Sequence, residues 1–185
     1  VVFFYPQEQI RKLFFRNQLS SMETAPLQPS KVVLAFFILF FSVQLLLPIR
    51  HWFIKGDVLW TEEGHRLSWR MMLRQKNGIT YFKVIDKNTK QELPYNIVEK
   101  LTRKQLGLVS SKPDGIWQMA QHIKKEFAKK GIEVSIYIDS KLSVNNKPYK
   151  TFIDPTVDFA EAEWNYFGHN DWILLYDKEG NLIEK

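Results

Sequence analysis

Cysteine is absent from all 185 residues, which excludes disulfides, thiolate zinc centres and a cysteine nucleophile. Phosphate-cradling glycine loops, dinucleotide-binding glycine patterns, zincin helices and serine elbows are also missing. The four histidines, His51, His65, His122 and His169, lack any close metal-ligand spacing, so no metal is expected. The formal charge of +6 is spread among acidic residues rather than gathered into a basic stripe, and nucleic acid is not an expected partner. Internal repeats and low-complexity tracts are absent. The opening "VVFFYP" has neither a basic n-region nor a cleavage site, so it is no signal peptide and reads as part of a longer chain.

What is present begins with a long apolar run. "VVLAFFILFFSVQLLLPI", Val32 to Ile49, carries no charge and meets the length of a transmembrane helix. Its phenylalanines are apolar all round rather than on one stripe, although a core helix of a large soluble protein has the same composition. Trp52 and Phe53, beside Arg50, His51 and Lys55, have the character of interfacial anchors. Upstream, "PQEQIRKLFFRNQ" reads as a short amphipathic helix at a membrane surface. The basic residues Arg11, Lys12, Arg16 and Lys31 favour a cytoplasmic loop before the span and an extracytoplasmic chain after it.

Beyond Gly56 the pattern becomes that of an α+β domain. Residues 1–55 are expected to end a membrane region, and 56–185 to form a β-rich α+β domain with one amphipathic helix. "SWRMMLR" alternates, so a strand there buries Trp69, Met71 and Leu73 and turns Ser68, Arg70, Met72 and Arg74 outward. "GITYFKVID" and "KQELPY" around "KNT" predict a hairpin, and "KLSVNNKPYKTFID" a second one turning at Asn145-Asn146. "DGIWQMAQHIKKEFAKKG" predicts a helix capped by Asp114, buried through Ile116, Met119, Ala120, Ile123 and Phe127, and stopped at Gly131. His122 and His169 read as surface and loop residues. Asp154 and Asp158 read as backbone-shaping carboxylates.

The stretch "DVLWTEEGHRLSWRMMLR" sets His65, Ser68, Trp69, Arg70 and Met72 just beyond the apolar run. A hydroxyl, a planar guanidinium and an indole suit recognition of a carboxylate, while the same residues also suit plain core packing beneath a solvated arginine face.

Taken in order, "LLPIRHWFIKGDVLWTEEGHRLSWRMMLR", "YFKVIDKNTKQELPY" and "TFIDPTVDFAEAEW" resemble the C-terminal part of the vitamin K-dependent gamma-glutamyl carboxylase family, whose membrane portion is the HTTM domain. The compact ending resembles a bacterial member. The resemblance implies a multi-pass enzyme of a bacterial inner membrane. Such an enzyme oxygenates reduced vitamin K with O2 and uses the resulting base to take a γ-proton from a protein glutamate, to which CO2 adds. It implies a catalytic lysine in the preceding membrane part and none in this chain. It also implies a lipid membrane and a glutamate-containing protein or peptide as partners, with the glutamate engaged by the segment from Gly64 to Met72, which holds Arg70 where the animal enzyme has an Asp. The rival reading is a non-enzymatic membrane-anchored domain that binds a peptide or envelope partner.

Overall fold

A computed structural model describes residues 30–68, 71, 73–177 and 179–183. The amphipathic helix expected at 6–16 lies outside them, as do Trp69, Arg70 and Met72. Contacts divide the chain into two units, residues 1–41 and 42–185.

Helix α1, Lys31–Ile49, follows the apolar run and continues into a 3-10 turn, Arg50–Phe53. Among the described residues, Lys31–Phe53 is the one helical stretch long and apolar enough to cross a membrane. Its side chains are almost all exposed, unlike those of a soluble core helix. Phe36 stacks on Phe40 and Phe37 on Phe41 along the helix surface. Pro48 sits in the last turn, and the His51 ring bonds the Pro48 carbonyl at 2.7 Å, closing the helix end.

The second unit is an antiparallel sheet with helices on one face, an α+β fold. After the short α2, Val58–Thr61, come β1, Lys76–Asp86, and β2, Glu92–Leu93; α3, Ile97–Lys100, and α4, Arg103–Ser111, follow. Next are α5, Pro113–Ala128; β3, Val134–Val144; and β4, Lys150–Thr151. The strand order is β2-β1-β3-β4, and β1 pairs β3 along its whole length, from Lys76 opposite Val144 to Asp86 opposite Val134. Alternation decides the faces. Val134, Ile136, Ile138 and Leu142 of β3, with Val84 of β1, turn inward, whereas Ile79 and Tyr81 remain exposed on the other side. Both predicted hairpins form, and Asn145 and Asn146 take positive φ at the second turn.

On α5 the inward residues are Ile116, Met119, Ala120, Ile123 and Phe127, as periodicity predicts. Phe127 is 7 % exposed. Phe127→Ala is expected to cost about 3 to 5 kcal/mol in chemical unfolding of the intact chain, whereas Lys129→Ala should change little; equal losses would mean the packed face is another.

Two expectations are corrected. Asp114 is not the cap: Pro113, with its fixed φ and missing N–H, takes the first helical position, which puts Asp114 inside the first turn. No strand forms at 68–74 among the described residues; Met71 and Leu73 are exposed, while Arg74 is buried against Glu62. Ion pairing there overrides the apolar alternation. Helix α4 escapes periodicity because it is short and interrupted by Gly107, although its capping box, Thr102 with Gln105, was readable.

Candidate functional site

Residues 57–66 fold back onto the domain immediately after the helix exit. Asp57 caps α2 through the Leu59 amide at 2.9 Å. Trp60 then anchors the segment: its indole donates to the Leu174 carbonyl at 2.7 Å and packs edge-on against Phe152 and Tyr176. Glu62 ends α2 in the left-handed region, and the chain turns at Gly64, whose φ is +66 and where a Cβ would stand 2.9 Å from the His51 Cβ.

This turn delivers two adjacent buried carboxylates to different partners. Glu62 pairs with Arg74, with Lys76 at 3.1 Å and with Lys112 at 3.8 Å. Burial pushes its carboxyl up, but the Lys76 and Arg74 charges outweigh that and hold it below the usual carboxylate range. Glu63 accepts from the Asn170 backbone and side-chain nitrogens, each at 2.7 Å, and meets His169 Nδ1 at 2.5 Å. The hydrogen bond to Glu63 raises the His169 pKa. His169 is in a loop, as expected, but it is part of the clasp that holds 165–170 to 62–64.

Between these clasps lies a cleft of about 270 Å³. Trp117 and Trp164 form an aromatic wall, their rings 6.1 Å apart and tilted. Lys112, Arg50, His65 and the Arg66–Asp114 ion pair supply the polar lining. Among the described residues, Arg50 Nε and His65 Nδ1 are buried there without a hydrogen-bond partner. Burial, followed by the Arg74 charge, lowers the His65 pKa and favours the neutral ring. A carboxylate entering the cleft meets an ammonium and a guanidinium N–H beside flat apolar walls.

Of the sequence-predicted site residues, His65 lines the cleft. Ser68 lies next to it, but its hydroxyl donates to the His65 carbonyl at 2.6 Å, which closes the local turn. Trp69, Arg70 and Met72 are outside the described residues. Sequence reasoning missed Glu62, Glu63, Lys112, Trp117 and Trp164. The "TEEG" acid pair was the available signal, yet nothing local separates a buried carboxylate from a solvated one.

The family model described as vitamin K-dependent gamma-carboxylase, lumenal domain, matches residues 29–179. The chain belongs to this family. No solved structure matches it significantly. The match spans α1, the cleft and nearly the whole sheet domain, so the apolar helix and the α+β domain both fall within the matched segment.

Proposed function

We propose that this chain is the C-terminal part of a multi-pass, gamma-carboxylase-like enzyme of a bacterial inner membrane. Its α+β domain lies outside the cytoplasm and presents protein glutamate to a reaction centre formed by preceding membrane helices. That centre, by family resemblance, couples oxygenation of reduced vitamin K to removal of a glutamate γ-proton, and CO2 adds to the carbanion. The observation that carries the reading is the family match together with a cleft, next to the helix exit, that combines an aromatic wall, a lysine and unpartnered buried nitrogens. A strong base and a carbanion need a dry setting, which a membrane-side centre supplies.

His65, Ser68, Trp69, Arg70 and Met72 stand as the proposed glutamate-binding segment, and Lys112, which lines the cleft with His65, joins them. Membranes carrying the complete enzyme, given reduced vitamin K, labelled bicarbonate and a glutamate peptide, should yield label in the peptide together with the epoxide. Lys112→Gln and Arg70→Gln should each raise KM for the peptide about ten- to a hundredfold, the worth of one charge-assisted hydrogen bond, with kcat nearly kept. A peptide that binds without gaining label would favour the membrane-anchored binding domain instead.

A further inference from the structure

The helix exit and the 165–168 loop carry an exposed aromatic cluster at the edge of the cleft, which Tyr166 also lines. Trp52 is 74 % and Phe53 81 % exposed, and Tyr166 and Phe167 are 64 % and 73 % exposed. These two segments are neighbours. The Arg50 guanidinium lies 5.9 Å from the Phe167 ring centre and donates to the Arg66 carbonyl at 3.2 Å. Phe53 and Gly168 line the same hollow.

The loop is held, not loose. Asn165 Oδ1 accepts from the amides of Phe167 at 3.0 Å and Gly168 at 2.9 Å, and Asn170 Oδ1 accepts from the Asn165 amide at 2.7 Å. Two aromatic rings are therefore projected outward from a turn fixed by side-chain bonds. Leu67, also exposed, holds a left-handed φ of +66. Asn or Gly would take that conformation with less strain and be better solvated in water.

We propose that Tyr166 and Phe167 form a second membrane attachment, entering the interfacial layer of the bilayer beside Trp52 and Phe53 and holding the cleft mouth against the lipid surface. The inference rests on reading α1 as a membrane helix. Continuity favours lipid over a protein partner: the cluster adjoins residues that directly follow an apolar helix, one whose exposed phenylalanines need a hydrocarbon surround. Its composition is also that of an interface, where Trp and Tyr rings settle at headgroup depth and arginine reaches out past them. The exposed Lys55 beside it suits anionic headgroups. In water the same surface would promote aggregation.

The absence of cysteine allows single spin labels to be placed without background. The full chain would be reconstituted into phosphatidylcholine–phosphatidylglycerol vesicles with a nitroxide at Phe167→Cys, Phe40→Cys or Thr89→Cys. Thr89 is in the turn at the far end of the 11-residue β1, roughly 33 Å from Lys76 at strand spacing. Accessibility to oxygen and to a water-soluble nickel complex is then read for each. The ratio of oxygen to nickel accessibility at 167 is expected to exceed that at 89 severalfold and to fall short of that at 40. A water-like label at 167 with a deep label at 40 overturns the proposal while leaving the membrane helix intact. A label at 167 shielded from both reagents means protein covers the loop, and this also overturns it. A water-like label at 40 removes the membrane helix itself and the proposal with it.

Discussion

Glu62→Gln is expected to lower stability by about 3 to 5 kcal/mol, because it strands buried cations that the wild-type carboxylate neutralises. Glu62, Arg74 and Lys76 side chains are 7 %, 10 % and 6 % exposed, so water cannot replace the lost charge. Burial already pulls Lys76 down to about 8 from its ordinary 10.5, with Glu62 working against that fall. The sign of the pH dependence follows. Between those two values the unfolded chain keeps a proton on Lys76 that the folded chain has shed, so stability rises with pH across the interval. In Glu62→Gln the lysine loses its partner and its proton leaves more readily, so the mutant's deficit should narrow as pH rises. Adding Lys76→Met should recover part of the loss. Urea unfolding followed by tryptophan fluorescence, with the intact chain in detergent, measures all three effects. A deficit below about 1 kcal/mol would mean that the cluster is hydrated and the pairs are worth no more than surface ones.

Gly78→Ala is expected to be at least as damaging. A Cβ at position 78 would stand 1.7 Å from the Ser110 carbonyl oxygen and 2.6 Å from its carbon. The obstacle is backbone and cannot swing away, so α4 must lift off β1. Thr80, on the same strand face, donates to that Ser110 carbonyl at 3.2 Å, and this link breaks if the helix moves, while its 2.8 Å bond to the Ser140 hydroxyl of β3 stays within the sheet. A loss of about 4 kcal/mol or more places the change among the largest single-site effects. Hydrogen exchange should show protection failing first in 103–111. Gly107→Ala is the control: its Cβ meets nothing within 4 Å, and in a helix interior it should gain about 0.5 to 1 kcal/mol. Equal effects at the two glycines would show that α4 does not press on β1.

The two substitutions also mark where sequence reasoning stops. Gly78 and Gly107 are chemically identical, and only the approach of α4 to β1 separates them. The cleft shows the same limit. His65 was identifiable because it follows an apolar run within a dense stretch, but Lys112, Trp117 and Trp164 reach it from 47 or more positions further along the chain. Their side chains have no local pattern that predicts convergence.

By itself the sequence determined what depends on local periodicity and backbone chemistry. The apolar run is helical, β1 and β3 alternate, both hairpins turn where Asn and Asp favour it, and α5 buries its five-residue stripe, since each needs only neighbours a few positions apart. Its ordered spellings also carried the family, which the match over 29–179 establishes. Tertiary structure decided the rest through charge and contact at long range. Arg74 lies inside and Met71 and Leu73 outside because a buried carboxylate at Glu62 costs more to leave unpaired than two apolar side chains cost to expose.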